Sequence, residues 1–405
     1  MKMSSEPIRI LHLSDLHITD DCDIITILRP LIDDLNNETS DFKLDRLDYL
    51  VITGDVSCKG RPEEFEKALE FINGIISHFR LTTKECIIVP GNHDLFWNTL
   101  MYELSLKNTT HVGNNDCIHI RFDVDSELDD LMLNRTDKYH LRFDNFSKCL
   151  YSQLTGEDYP PEYEKQFNTI FFPDSKVLFL ALNSCWEIDI IHRKRASINQ
   201  GALLRGLDEM HKQIKTAEEL GHLKNGDHIL KIAIWHHPIT GNDKIIEDKF
   251  VKSLIKNGFK LCLHGHIHED REDTIGPFEK DPFYIAGTGS FGAPLCDRPS
   301  VPRLYNLLEI DRQSNLIKIH VRELEEDTYS WTGRCKWATE TQHYKRSYFE
   351  IPLVEQQDDL EKSSYKAEIE RGAQMQLLLE FRKRGIIDDK TQMEFSEKIN
   401  TYSLS

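Results

Sequence analysis

The sequence has no C-x-x-C pair, no long apolar run and no excess of positive charge, and each absence narrows the field. Its nine cysteines are an odd set scattered along 405 residues, so neither a disulfide framework nor a thiolate zinc site is expected. No uninterrupted apolar stretch approaches the roughly 20 residues that span a bilayer. Residues 1–7 are polar and lead straight into Ile8-Arg9-Ile10-Leu11 without the apolar region of a signal peptide, so a cytoplasmic chain with no membrane partner is expected. Fifty Lys and Arg face 68 Asp and Glu, a formal charge of −18. That balance opposes nonspecific attraction to a nucleic-acid backbone, although it does not exclude a local basic groove.

What is present is an alternation of short Ile/Val/Leu-rich runs with amphipathic segments, the pattern of strands interleaved with helices in an α/β layer fold. Strands are expected over 8–13, 49–53, 86–89, 177–182, 229–235 and 261–263. Helices are expected over 24–35, 62–79, 202–220 and 245–255. In the second helix Phe65, Leu69, Ile72, Ile76 and Phe79 share one face, and Pro62 suits the first turn. Two regions break the rhythm. From about 97 to 163 the chain is polar and irregular, an insertion over one end of the sheet of the kind that carries substrate selectivity. From 354 to 405 a small helical appendage is expected, with Ile369, Ala373, Leu377 and Phe381 at four-residue steps and Gly385 as a stop. The main domain would then occupy 1–353.

Five of the expected strands end in metal-capable side chains: Ser14-Asp15-Leu16-His17, Gly54-Asp55, Gly91-Asn92-His93-Asp94, His236-His237-Pro238 and Leu263-His264-Gly265-His266-Ile267-His268. Ligand sites in open α/β sheets gather at the carboxyl ends of strands, so five distant segments can converge there. Asp15 and His17 stand two apart and so face one centre from one strand end, and His266 and His268 repeat that geometry. Glycines 54, 91 and 265 fall where a tight turn and close backbone approach would be needed. Asp15, His17, Asp55, Asn92, His236, His266 and His268 then count as metal ligands, and one bridging carboxylate would share them between two cations. Two such cations, roughly 3.5 to 4 Å apart, generate hydroxide near neutral pH and stabilise both oxygens of an in-line phosphoryl displacement. The donor set, free of thiolate, suits Mn, Fe, Zn or Ni.

With D-x-H, G-D, G-N-H-D, a lone His after a strand and G-H-x-H present in order, the sequence resembles the calcineurin-like metallophosphoesterases. The resemblance implies a four-layer α/β fold, two mixed β-sheets sandwiched together and flanked by helices. It implies that Asp15, His17, Asp55 and His268 hold one metal and Asp55, Asn92, His236 and His266 the other, with Asp55 and a hydroxide bridging them. It also implies that His93 contacts the scissile phosphate and protonates the leaving oxygen while Asp94 orients it. His264, equivalent by spacing, has no counterpart in that pattern and falls behind the ligands.

Other features read more simply. The run His192-Arg193-Lys194-Arg195 could meet a substrate phosphate, but a solvated basic run is the plainer reading. His12 is expected in the core or behind the ligands. Phe96, Trp97 and Tyr139 could stack on a base, with packing under the insertion as the plainer reading. A hairpin over 378–399 could join copies of the chain. In texture the chain looks most like the bacterial cyclic-nucleotide-type phosphodiesterases, so a small phosphodiester or nucleotide substrate is expected. A DNA nuclease of the repair type is the rival, disfavoured by the acidic balance. A noncatalytic scaffold is disfavoured because no ligand position is missing.

Overall fold

The computed structural model describes residues 6–36, 42–99, 101–106, 117–120, 131–224, 226–240, 244–245, 249–267, 271–275, 283–292, 301–325, 327–337, 345–353 and the single positions 382, 388, 390, 391 and 395. In chain order, β1 (Ile8–Leu13), α1 (Ile24–Asn36), β2 (Tyr49–Thr53), α2 (Pro62–His78) and β3 (Cys86–Val89) come first. The region read as an insertion supplies β4 (Tyr102–Leu106), β5 (Cys117–Ile120), β6 (Leu131–Arg135) and α3 (Ser152–Thr155). Then follow β7 (Phe167–Phe172), β8 (Val177–Leu182), α4 (Gln200–Glu219), β9 (Leu230–Ile234), α5 (Lys249–Lys256), β10 (Leu261–His264), β11 (Arg271–Ile275) and β12 (Phe283–Gly287). Four strands close the first unit: β13 (Leu304–Asp311), β14 (Leu316–Glu325), β15 (Ser330–Gly333) and β16 (Tyr348–Pro352).

The strands form two large mixed sheets. In the first the order is β15-β14-β13-β1-β2-β3, with β16 also on β14; β2 pairs parallel with β1 and β3, and β13 pairs antiparallel with β1 and β14. The second runs β11-β12-β10-β9-β8-β7, with β12, β10, β9 and β8 parallel inside antiparallel edges. Every residue of β2 and β8 is buried, as central parallel strands require. The sheets meet through Tyr49, whose ring lies 4.7 Å from Phe172 and 5.0 Å from Phe179. Asn306 on β13 also reaches across to donate to the Gly287 carbonyl at the end of β12. Burying a ring such as Phe179 stabilises by about 1.5 to 3 kcal/mol.

Several expected strands have the observed bounds, and the helices differ from expectation at their ends for local reasons. The helix expected from 202 starts at Gln200 because the Asn199 side chain accepts from the Ala202 N–H at 3.1 Å and caps it. The one expected over 245–255 is observed as Lys249–Lys256, with 246–248 outside the described residues. Pro62 opens α2 as expected, and buried Glu64 folds back to accept from the N–H groups of Lys59 and Arg61. The insertion is less irregular than its composition suggests, since β4, β6 and β5 form an antiparallel sheet of their own.

By its contacts the chain divides into Met1–Ile351 and Pro352–Ser405. In the second unit the helix expected over 369–381 and Gly385 lie outside the described residues. So does the 378–399 hairpin, apart from isolated positions, at one of which Asp388 accepts from the Thr391 N–H at 2.7 Å. Among the described residues no helix is long and apolar enough to cross a membrane.

One buried ion pair ties α1 to the first sheet. Asp34 takes two hydrogen bonds from the Arg322 guanidinium on β14 and one from the Tyr305 hydroxyl on β13, with both charged side chains less than a tenth exposed. Removing one partner of such a pair leaves the other charge buried without its counterion, at a cost of about 3 to 5 kcal/mol. Asp34→Ala is therefore expected to lower the urea midpoint by that amount of stability, and an equilibrium unfolding curve that overlays the wild type would contradict it.

Candidate metal centre

Each predicted ligand in the described residues sits just past the carboxyl end of a strand. Asp15 and His17 follow β1, Asp55 follows β2, Asn92 follows β3, His236 follows β9 and His266 follows β10. The first four come from one sheet and the last two from the other, so the site lies on the seam between them. His268 lies outside the described residues.

Local backbone conformation aims these groups. Asp15, His17, Asp55 and His266 all have positive φ, at 52°, 46°, 51° and 69°. Side-chain-bearing residues take up such angles at a cost of about 1 to 2 kcal/mol each, so surrounding contacts must hold them there. Those contacts are visible. The Asp15 N–H donates to the Gly54 carbonyl and the His17 N–H to the Asp55 carbonyl, both at 3.0 Å. The His266 N–H donates to Asp15 Oδ2 at 2.8 Å, and Ser14 Oγ donates to the same oxygen at 2.6 Å.

The ligand atoms crowd together. His236 Nε2 is 3.3 Å from both Asp55 Oδ2 and Asn92 Oδ1, and His17 Nε2 is 3.8 Å from Asp15 Oδ1. Three groups each bring their ligand atoms within 4.8 Å of one another: Asp15, Asp55 and His236; His17, Asp55 and His93; His236, His237 and His266. Donors that share an ion at about 2.0 to 2.2 Å stand a little over 3 Å apart, so the nitrogen–oxygen spacings fit a transition metal. Two glycines make room for this approach. A methyl group at Gly91 would collide with the main-chain nitrogen and Oδ1 of Asp55, and one at Gly265 would collide with Ser14 and Asp15.

Main-chain carbonyls orient the rings. His236 Nδ1 donates to the Thr53 carbonyl at 2.6 Å, leaving Nε2 to face Asp55. That division of the two nitrogens is the one metal-binding imidazoles require. His93 Nδ1 donates to the Cys58 carbonyl at 2.8 Å, and the His93 N–H donates to Asp55 Oδ1 at 2.7 Å. The expected orienting residue, Asp94, acts differently: its two oxygens accept from the N–H groups of Val56, Ser57 and Gly91 and from the Ser57 hydroxyl. Asp94 therefore braces the turn that carries His93, and the ring itself is set by Cys58. Nothing in the sequence pattern marks Thr53 and Cys58 for these parts, because it is their main-chain carbonyls that take them.

Charge is tightly coupled here. Burial opposes ionisation of Asp55, yet His236, His93 and His17 hold its carboxyl well below the usual range. Asp55 in turn draws His93 above its ordinary value, against burial. Burial works against a charged His236 as well, but Asp55 lifts it to about 9. Burial, with Asp55 beside it, pushes Asp94 up to about 6. The cluster thus attracts positive charge, which a metal ion supplies by displacing protons. His237, held down by burial and by His266 and His236, is hydrogen-bonded to Ser184 Oγ at 2.9 Å. His12, pushed to about 3 by burial and His264, contacts Thr53 Oγ1 at 3.0 Å, and His264 contacts the Gly265 carbonyl. Both lie buried behind the cluster.

Of the aromatic candidates, Tyr139 is packed, with Arg135 and Arg142 over its ring at 4.2 and 4.0 Å and its hydroxyl on Asp189. Phe96 and Trp97 are half-buried. A cavity of about 610 Å³ lies at the opposite, entry end of β1 and β2, and no predicted site residue lines it.

Two outcomes follow from the packing and charge. Gly91→Ala should weaken metal binding about 10- to 100-fold, the scale of a disturbed ligand support, and metal analysis at matched free concentration would expose an unaltered site. Asp189 is held as a carboxylate down to about 2: burial opposes this, but the Tyr102 hydroxyl, the His192 N–H and the Tyr139 hydroxyl outweigh it. Its stabilising contribution is present above the unfolded value of about 4 and is lost as pH falls through about 2. Asp189→Asn should accordingly lose less stability than the wild type between pH 5 and 2, and parallel melting-temperature curves would refute that sign.

Comparison with known proteins bears on the family of the chain. The family profile described as Calcineurin-like phosphoesterase matches residues 8–270. An uncharacterized metallophosphoesterase-like protein, YydB of Bacillus subtilis (strain 168), is 26% identical over 347 residues, covering 84% of this chain. The chain spans 63% of the length of that relative. Among solved structures, TT1561 of Thermus thermophilus matches with 12% identity and a TM-score of 0.37, over 79% of this chain and 100% of that one. Vps29 of Entamoeba histolytica complexed with zinc gives 10% and 0.35, over 86% and 100%. The 5'-nucleotidase of Candida albicans SC5314 gives 11% and 0.38, over 81% and 54%. With the family profile covering more than half of its length and all five motif segments in order, the chain belongs to the calcineurin-like phosphoesterase family.

Proposed function

We infer that this protein is a metal-dependent phosphoester hydrolase acting on phosphodiesters. The observation that carries the reading is the position of Asp55, which belongs at once to the group with Asp15 and His236 and to the group with His17 and His93. A carboxylate shared in this way suits a dinuclear centre in which Asp15 and His17, joined in the sequence pattern by His268, hold one ion and Asn92, His236 and His266 the other. When bound, two such ions, Mn, Fe or Zn by donor type, would activate water as the nucleophile near neutral pH and would neutralise charge on the transferred phosphoryl group.

The chain's own residues supply the rest. His93 has Nδ1 committed to the Cys58 carbonyl, so Nε2 is the ring atom available to hold a proton and pass it to the leaving oxygen. The Asp94 brace keeps the His93 main chain against Asp55, which fixes where that proton is delivered. The five ligand-bearing segments contain no Arg or Lys. Charge stabilisation therefore falls to the metal pair and His93, a supply suited to a singly charged diester more than to a doubly charged monoester.

The roles separate experimentally. Full-length protein reconstituted with Mn should bind about two ions per chain and hydrolyse bis(p-nitrophenyl) phosphate. Asp55→Ala should lose metal and turnover together, whereas His93→Ala should keep its metal and lose about 10²- to 10⁴-fold in kcat. Less than one ion per chain with no hydrolysis in the reconstituted wild type would overturn the reading, and equal metal loss in the two variants would overturn the division of roles.

A further inference from the structure

The loop between β8 and α4, residues 183–199, is rooted in the metal centre and tipped with positive charge. At its root Ser184 Oγ lies 2.9 Å from His237 Nδ1 and accepts from the His237 N–H, one residue from the ligand position His236. The loop closes on itself where the Ser197 N–H donates to the Ser184 carbonyl and Ser197 Oγ to Glu187. Its turn is built around buried Asp189, which accepts from the N–H groups of Ile191 and His192 and from the hydroxyls of Tyr102 and Tyr139. Asp189 also pairs with Arg135 of the insertion at 3.7 Å, so its charge is answered beneath the loop. Arg193 and Lys194 are exposed, and Arg195 is half-buried.

The tip also reaches back to the catalytic side. The Arg193 guanidinium lies over the Trp97 ring, 6.0 Å from its centre. Trp97 stands three residues beyond Asp94, on the segment that carries His93. In a chain of net charge −18, consecutive cations on a loop rooted at His237 and touching Trp97 focus negatively charged groups there. An aromatic ring paired with Arg is a surface on which a nucleobase stacks irrespective of sequence.

We propose that this loop is the arm that reads the rest of the substrate: Arg193, Lys194 and Arg195 receive a second phosphate and Trp97 its base, while the scissile phosphate lies at the metal centre. The substrate class is then a phosphodiester that carries another phosphate and a base, either a dinucleotide or the end of an oligonucleotide. This deepens the hydrolase reading and rests on it for the place of the scissile group.

Calorimetric binding to Mn-loaded, full-length His93→Ala protein, a host in which turnover is suppressed, tests it. The probes are inorganic phosphate, 5'-phosphorylated diadenylate and 5'-phosphorylated hexaadenylate. Adding Arg193→Ala with Lys194→Ala, or Trp97→Ala alone, should weaken diadenylate binding about tenfold, with inorganic phosphate little changed. The paired substitution should also flatten the salt dependence for hexaadenylate by up to about 1.4 in log–log slope, two contacts at roughly 0.7 each. Tighter hexaadenylate than diadenylate binding identifies an oligonucleotide as the source, and equal binding a dinucleotide. The proposal fails if the host binds diadenylate no better than phosphate, if the paired substitution changes nothing, or if phosphate and diadenylate weaken together. Absence of turnover in the wild type, with Arg193-dependent diadenylate binding intact, would remove the hydrolase reading and leave the arm.

Discussion

Asp55 is a carboxylate held 1% exposed at the junction of two sheets, and a charge so placed must be answered from every side. One oxygen takes the His93 N–H and the other faces the His236 ring. No single sheet could supply both, because β2 and β3 bring the first and β9 the second. The two-sheet architecture is thus the means by which one buried carboxylate acquires neighbours from opposite directions. The glycines around it, the positive φ angles and the crowding of imidazoles all follow from fitting so many donors about one point.

The parts of this arrangement that announce themselves in sequence are those with strong local signals. The Ile-, Val- and Leu-rich strands carry a strong local signal, so 8–13, 49–53, 86–89 and 177–182 are legible to the residue. The antiparallel strands are harder. In β14, Leu316–Glu325, buried and half-exposed residues largely alternate, and one face built of Lys318, His320 and Arg322 reads as surface. The ligand positions are legible because Asp, Asn and His recur just beyond strand ends. Their αL backbone is not, since the hydrogen bonds that impose it come from residues far away in sequence: Asp15 is held by Gly54 and reaches His266. Asp94 lies within the cluster as its motif suggests, yet its task of gathering main-chain N–H groups depends on Val56 and Ser57, which only the folded chain brings beneath it.

Between the metal centre and the insertion lies a second buried polar cluster. Arg142, fully buried, donates to the carbonyls of Tyr139, Trp186 and Ile188, and Asp189 collects hydroxyls and N–H groups from the same neighbourhood. Arg142 is compensated by oriented carbonyl dipoles, and Asp189 by hydroxyls, N–H groups and the Arg135 guanidinium at 3.7 Å, which makes the cluster directional. The cluster at the strand ends and the loop over 183–199 are consequently built by largely separate sets of residues. They meet where Ser184 and Cys185 contact His237, where Cys185 reaches the Pro90 carbonyl, where the Phe96 N–H donates to the Arg142 carbonyl and where Arg193 lies over Trp97.

The choice of main-chain carbonyls to orient His236 and His93 has a bearing on how such proteins diverge. A peptide oxygen persists whatever side chain its residue carries, so the rings set by Thr53 and Cys58 are indifferent to the identity of those two residues. Substituting either side chain would leave that oxygen in place, although Thr53→Ala would also remove the hydroxyl that His12 contacts. The orienting role is carried by the path of the backbone and not by the side chains along it.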